Sequence, residues 1–122
     1  MTAPRILAVD DDPLTLKFLA RVLAGAGYEV TRAASGAEAL RACAGRAFDV
    51  ALVDVVMPGM SGRELSERLA TSHAGMKVLY MSGYTDDAVV LHGVLAEEMA
   101  FLQKPFTINA LARKVRALLD ER

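Results

Sequence analysis

Scarce residues and missing segments set the first limits on this chain of 122 residues. Its single cysteine, Cys43, excludes an internal disulfide. No basic segment followed by an apolar run comes after Met1, so no secretory signal is predicted. No apolar stretch approaches the roughly 18 to 20 residues that span a bilayer. We therefore expect a soluble, cytoplasmic protein.

Tryptophan is absent and 6% of the residues are aromatic, whereas 53% are hydrophobic, so aliphatic side chains must form most of the core. Charge of one sign is not concentrated either, because 14 Lys and Arg residues and 15 Asp and Glu residues are scattered along the chain. This distribution argues against nucleic acid or an anionic membrane as a partner. The length fits one domain over residues 1–122.

Short apolar runs alternate with segments of helical periodicity. The runs are apolar on both faces and the connections are short, which indicates an α/β fold with helices on both sides of a parallel sheet. Asp12, Ser35 and Thr107 precede helical patterns and are predicted N-caps. Strands are predicted over residues 5–9, 29–33, 49–54, 77–81 and 100–103, and helices over residues 13–25, 36–46, 63–73, 86–97 and from residue 108 onward.

Polar residues end four of the predicted strands: Asp10, Asp11, Asp54, Ser82 and Lys104. Because the carboxyl ends of parallel strands meet at one edge of a sheet, we expect these side chains to converge. Three close carboxylates would repel one another without a cation, and a small set of oxygen ligands favours Mg²⁺. Once this charge is neutralised, the Asp54 carboxylate can attack phosphorus and form an acyl phosphate.

Two other functions would use a similar set of residues. A phosphohydrolase of the haloacid dehalogenase type needs a second aspartate two positions after its aspartyl nucleophile, where this chain has Val56. A flavodoxin-like flavin-binding module needs a loop rich in Ser, Thr and Gly after the first strand, where the three aspartates at 10 to 12 would repel a phosphate. The sequence disfavours both alternatives.

Four motifs together resemble the receiver domain of bacterial response regulators, and the resemblance covers the whole chain. They are Val9-Asp10-Asp11, Asp54 followed by Met57-Pro58-Gly59, Ser82-Gly83, and Lys104-Pro105. The resemblance implies a flavodoxin-like (βα)5 three-layer sandwich whose five-stranded parallel sheet has the order 2-1-3-4-5. It also implies a phosphoacceptor in two-component or phosphorelay signalling, with at most self-phosphorylation and autodephosphorylation as enzymatic activity.

The resemblance assigns a role to each residue at the strand ends. Asp10 and Asp11 would form the acidic pocket for Mg²⁺, with the backbone carbonyl of Val56 as a further ligand. Asp54 would be both a metal ligand and the phosphoacceptor, and Lys104 would pair with the phosphoryl group.

Other residues would act after phosphoryl transfer. Ser82 would bond a phosphoryl oxygen and Phe101 would be the switch aromatic that moves inward, which reshapes the surface of the fourth helix, fifth strand and fifth helix. Pro105 would follow a cis peptide. Val56 and Tyr84 would tune the lifetime of the phosphoryl group, and because Val56 cannot orient a water, a lifetime of minutes or longer is predicted.

The implied partners are a sensor histidine kinase or a histidine phosphotransfer protein, and a second copy of the chain bound through the fourth helix, fifth strand and fifth helix. The stretches 80–85 and 101–107 are similar to receivers fused behind histidine kinases, so the chain is either a stand-alone regulator or part of a hybrid kinase. Cys43 is predicted to be a packing residue. The predicted exposed helix residues are His73, His92, Arg113, Lys114 and Arg116.

Overall fold

The computed structural model describes residues 3–73, 75–82 and 100–121, and the predicted helix over residues 86–97 lies outside these ranges. The elements are β1 (Arg5–Val9), α1 (Pro13–Gly25), β2 (Glu29–Ala33), α2 (Gly36–Cys43), β3 (Val50–Asp54), α3 (Gly62–Ser72), β4 (Lys77–Ser82), β5 (Ala100–Gln103) and α4 (Ile108–Asp120). Among the described residues, no helix has both the length and the apolar character to cross a membrane.

All neighbouring strands are parallel, and their order in the sheet is β2-β1-β3-β4-β5. The predicted flavodoxin-like strand order is therefore confirmed. The chain moves outward from β1 to β2 and then returns to the other side of β1 as β3. This reversal leaves a crevice beyond the carboxyl ends of β1 and β3, which is where ligands bind in sheets of this kind.

The alternation of side chains along each strand divides the core into two layers. The layer against α1 and α4 contains the buried strand residues Ile6, Ala8, Val50, Leu52, Leu79, Met81 and Leu102. The layer against α2 and α3 contains Leu7, Val9, Ala51 and Val53. Because both faces of the sheet are covered, the central strands β1 and β3 are buried along nearly their whole length, whereas the edge strand β2 is mostly exposed or half-buried.

The three predicted N-caps are confirmed. Asp12 Oδ1 accepts a hydrogen bond from the Leu14 amide at 3.3 Å, and Thr107 Oγ1 accepts one from the Ala110 amide at 3.0 Å. At α2, Ser35 Oγ accepts from the amide of residue 38 at 3.1 Å, and the side chain of that glutamate accepts from the amide of residue 34 at 3.0 Å. Caps of this kind each stabilise a helix by about 1 kcal/mol.

The helix α2 ends earlier than predicted, at Cys43 instead of residue 46. Ala44 has an extended ψ of 115°, and Gly45 follows with a φ of +73°, which ends the helical hydrogen bonding. Cys43 is buried as predicted, and burial raises the pKa of its thiol. The short helix brings the carbonyl of its last residue to the end of α3.

His73 occupies that position, so its predicted exposure on a helix is wrong. It is half-buried at the C-cap of α3, where Nε2 lies 3.0 Å from the Cys43 carbonyl oxygen and Nδ1 lies 2.8 Å from Ser72 Oγ. Packing of α3 against α2 buries the ring, which the spacing of apolar residues in α3 did not indicate. His92 lies outside the described residues, and the basic side chains at 113, 114 and 116 are exposed as predicted.

Candidate functional site

The register of β1 and β3 brings the first two acidic residues together. Val9 pairs with Val53, so Asp10 and Asp54 come next on neighbouring strands. Asp10 is completely buried and the Asp54 side chain is 9% exposed, whereas Asp11 is exposed. One carboxylate oxygen from each of the three lies within 4.8 Å of the others, so the predicted convergence of these carboxylates is observed.

Lys104 reaches the same point from the end of β5. Its Nζ lies 2.7 Å from Asp10 Oδ2 and 3.6 Å from Asp54 Oδ1. Its backbone amide donates to the Ser82 carbonyl oxygen at 2.7 Å, which holds the residue beside β4. Burial lowers the pKa of the Lys104 ammonium, but the hydrogen bond and charge of Asp10 and the charge of Asp54 outweigh it and leave the pKa above its ordinary value. The ammonium therefore remains protonated.

The neighbouring backbone fixes the orientation of Asp10. Its Oδ1 accepts from the Asp12 amide at 2.9 Å, and its own amide donates to the Ala33 carbonyl oxygen at 3.2 Å. Both carboxylate oxygens of Asp12 are used within α1, because they accept from the Leu14 amide and, at 2.7 Å, from Thr15 Oγ1. The Thr15 hydrogen bond is the main cause that holds the pKa of Asp12 below its ordinary value. Asp12 is therefore a helix cap, as predicted, beside the acidic cluster.

The environment of Asp54 disfavours its ionised form. Burial first, and then the nearby charge of Asp10, raise the pKa of Asp54 to about 6. The Lys104 ammonium opposes this rise and Asp11 adds to it. The three carboxylates therefore hold more negative charge than one ammonium can neutralise, and a divalent cation would relieve this repulsion.

The first turn of α3 packs directly against the backbone of Asp54. The Gly62 amide donates to the Val55 carbonyl oxygen at 3.0 Å, and the Val55 amide donates to the Met81 carbonyl oxygen at 2.9 Å. A Cβ atom on Gly62 would lie 2.1 Å from the Asp54 carbonyl oxygen, so only glycine allows this approach. The sequence does not reveal this role of Gly62, because no local pattern indicates a close backbone approach.

An open cleft of about 710 Å³ surrounds these groups. Beyond the carboxylates and Lys104 it is bounded by an apolar rim of Leu14, Val56, Pro105 and Phe106. Leu14 is 75% exposed, although it has helical spacing with the partly buried Phe18 and Val22 of α1. The side chain of Val56 is also exposed at the cleft. The sequence predicted the carboxylates and Lys104 of the cleft but not its apolar rim.

The donor atoms fit a magnesium ion. Ligands on an octahedral Mg²⁺ at 2.0 to 2.1 Å lie roughly 3 to 4 Å apart, so oxygens already within 4.8 Å of one another need only a small closing movement. All three are carboxylate oxygens, which Mg²⁺ prefers over the nitrogen and sulfur ligands typical of zinc. The site can therefore hold Mg²⁺ with several water molecules retained.

The structure describes three of the four remaining predicted residues, Ser82, Phe101 and Pro105. Ser82 is buried at the end of β4, and among the described residues its hydroxyl makes no hydrogen bond to Asp54. Phe101 is half-buried on β5, where it pairs in register with Tyr80. The Lys104–Pro105 peptide is cis, as the resemblance implies. The predicted lifetime-tuning residue Tyr84 lies outside the described residues.

The sequence matches the profile of the response regulator receiver domain family over residues 6–116. The chain belongs to this family. The sensor kinase CckA of Brucella abortus (strain 2308) is 36% identical to this receiver domain over 118 residues, which is 95% of the chain and 12% of the kinase. The resemblance to receivers of histidine kinases is thereby confirmed. The chain spans about half the length of several other curated relatives.

Solved structures place the receiver domain in the same family. A CheY-like receiver domain protein from Methanospirillum hungatei JF-1 is 34% identical, with a TM-score of 0.85 and coverage of 98% of this chain and 95% of that one. The response regulator TrrA from Thermotoga maritima, solved in complex with Mg²⁺-BeF, is 31% identical, with a TM-score of 0.82 and coverage of 95% and 99%. None of these comparisons supports the phosphohydrolase alternative, and Val56 supplies no acid or base.

Proposed function

We propose that this receiver domain is a Mg²⁺-dependent phosphoacceptor that takes a phosphoryl group from a phosphohistidine on a partner protein. The observation that carries the proposal is the position of Lys104 Nζ, 2.7 Å from Asp10 and 3.6 Å from Asp54, beside three converging carboxylates. Negative charge gathers here around one nucleophile, with a cation beside it that can pair with an incoming phosphoryl group.

Asp10, Asp11, Asp54 and the backbone carbonyl of Val56 would hold the metal. When bound, Mg²⁺ neutralises the charge of the carboxylates and of the phosphoryl oxygens. The TrrA structure, which was solved with Mg²⁺, supports this assignment because the two chains match over 95% of this one. Its chemical support is the donor set, which contains oxygen ligands alone.

Phosphoryl transfer needs one nucleophile and one cation from the chain. A carboxylate oxygen of Asp54 attacks the phosphorus and forms a P–O bond, while the P–N bond to the donor imidazole breaks. The bonding pair stays on that imidazole nitrogen, and because the other ring nitrogen of the donor carries a proton, the donor leaves as neutral imidazole. Lys104 pairs with a phosphoryl oxygen, for which its raised pKa keeps it charged.

The stored phosphoryl group changes a surface at the far edge of the sheet. Ser82 moves to bond a phosphoryl oxygen, and Phe101 turns into the space that this movement opens. Support comes from their positions, because Ser82 is buried at the end of β4 and Phe101 lies half-buried on the adjacent strand β5. The surface of the predicted helix over 86–97, β5 and α4 then binds a downstream partner or a second copy of the chain.

The lifetime of the acyl phosphate is set by side chains next to the site. Val56 is 53% exposed at the cleft and has no polar group to orient a water molecule. Tyr84, two residues after Ser82, is the second tuning residue. We expect the phosphoryl group to last for minutes or longer, and a Val56→Asn variant with an unchanged hydrolysis rate would remove this explanation.

The partner is a sensor histidine kinase or a histidine phosphotransfer protein, and the setting is the cytoplasm. The apolar rim supports a protein partner, because Leu14 and Val56 are largely exposed beside the phosphoacceptor. We treat residues 1–122 as one signalling domain with at most self-phosphorylation and autodephosphorylation as enzymatic activity. It acts either alone or as part of a hybrid kinase.

The test is phosphorylation by a small-molecule acyl phosphate in the presence of Mg²⁺, followed by intact mass measurement. The wild type should gain one phosphoryl group, and Asp54→Asn should gain none. Asp49→Asn is the matched control, because Asp49 is an exposed aspartate just before the same strand and should leave the gain unchanged. An equal gain in the Asp54 variant, or none in the wild type, contradicts the proposal.

A further inference from the structure

The chain around the turn between β2 and α2 contacts two segments of the proposed metal site, which are the end of β1 and the loop after β3. None of the side chains of this turn belongs to the site itself. The Ala33 carbonyl oxygen accepts the hydrogen bond from the Asp10 amide. Two residues later, Ser35 caps α2 and holds its first residue, Gly36, in a buried position. The same turn is therefore attached to the end of β1 and lies against the loop that follows β3.

Gly36 meets that loop at Met60. A Cβ atom on Gly36 would lie 2.7 Å from Met60 Sδ, 3.0 Å from its Cβ and 3.1 Å from its Cγ. The Met60 side chain thus fills the space that any other residue at position 36 would need. A change of side-chain rotamer would move Sδ away but would leave the Cβ contact, so a larger residue at 36 must displace the loop backbone or α2.

The loop has little freedom to absorb such a displacement. Met57 is buried in the core layer under α2 and α3, Gly59 adopts a φ of +81°, and Ser61 caps α3 by accepting from the amide of residue 64 at 3.1 Å. Met60 lies between Gly59 and the cap, and its side chain packs against the same core layer. A shift at Met60 is therefore transmitted along the loop toward Val56 and Asp54.

We propose that Gly36 and Met60 form a positioning contact that holds the loop after Asp54 in the geometry required for metal binding. The inference rests on the proposed function, because it names residues that act through the magnesium ligands. Neither residue touches the metal or the phosphoryl group. Mg²⁺ demands near-ideal octahedral geometry, so a loop displacement of a few tenths of an ångström should weaken its binding.

Calorimetric titration of the metal-free protein with Mg²⁺ tests the contact. Gly36→Ala should bind Mg²⁺ about tenfold more weakly, at the lower end of what changes around metal ligands produce. The double variant Gly36→Ala with Met60→Ala should bind about threefold more tightly than Gly36→Ala alone, because removal of Cγ and Sδ relieves two of the three close contacts and leaves the one with Cβ. Gly25→Ala should equal the wild type, since its Cβ meets nothing within 4 Å.

Thermal unfolding of the same variants separates positioning from stability. The double variant has lost part of a core side chain, so it should be no more stable than Gly36→Ala although it binds Mg²⁺ more tightly. Affinity of Gly36→Ala within about twofold of the wild type, or no recovery in the double variant, overturns the inference. Absence of Mg²⁺ binding by the wild type would instead refute the proposed function, and the inference with it.

Discussion

Replacing Asp54 by asparagine should make the metal-free protein more stable at neutral pH, although it removes the proposed phosphoacceptor. The Asp54 side chain is 9% exposed and lies beside Asp10, and the combination raises its pKa from 3.8 to about 6. Asparagine has nearly the same shape as a protonated aspartate but cannot ionise. The substitution therefore removes the unfavourable charge without opening a cavity.

The direction of the pH effect follows from proton binding. Between pH 3.8 and about 6 the folded state holds a proton on Asp54 that the unfolded state has released, so stability falls as the pH rises through this window. Above about pH 6 both states are ionised and the loss is complete. At about 1.36 kcal/mol for each unit of pKa, the loss in the wild type reaches about 3 kcal/mol.

Urea unfolding in a chelator, from about pH 4 to pH 8, measures this difference. Asp54→Asn should match the wild type at the acidic end and exceed its unfolding free energy by about 3 kcal/mol at neutral pH. Asp120→Asn, at an exposed aspartate at the end of α4, should follow the wild-type curve throughout. Parallel curves for the wild type and Asp54→Asn would refute the argument from burial and charge.

Three further outcomes follow from particular contacts. Mg²⁺ at about ten times its Kd should stabilise the wild type by about 1.4 kcal/mol in thermal unfolding. Asp10→Asn should lose this stabilisation because it removes a metal ligand, whereas Asp12→Asn should keep it because asparagine also caps α1. Gly62→Ala should destabilise the fold by about 1 to 3 kcal/mol in urea unfolding, because its Cβ would collide with the Asp54 carbonyl. Gly25→Ala is the control, and an equally small loss of unfolding free energy in both variants would contradict this prediction. Thr107→Ala should lower the free energy of unfolding by about 1 kcal/mol, and Thr107→Ser should leave it unchanged, because serine also caps a helix. Equal losses in the two variants, measured by urea unfolding, would contradict the capping role.

Much of the candidate site could be predicted because its residues stand at positions that a parallel sheet defines in advance. Asp10, Asp54 and Lys104 each end an apolar run, and parallel strands bring such ends to one edge whatever the details of packing. The caps at Asp12 and Thr107 could also be predicted, because a capping side chain accepts a hydrogen bond from an amide only two or three residues away.

The early end of α2 is local, at Ala44 and Gly45, but two other exceptions depend on elements beyond the helix that carries the residue. His73 is half-buried because α3 ends beside the last carbonyl of α2, thirty residues earlier. Leu14 has the spacing of an inward residue yet lies at the rim of the cleft. Neither outcome can be obtained from the periodicity of a single helix, because it depends on where the neighbouring elements end.

The sequence by itself determined the alternation of strands and helices, the helix starts and the identity of the groups at the strand ends, all of which depend on local pattern. Only the tertiary structure decided that Lys104 sits closer to Asp10 than to Asp54, and that Gly36 and Met60 occupy each other's space. The raised pKa of Asp54 also depends on the tertiary structure, because its burial and the neighbouring charge of Asp10 exist only after the chain has folded.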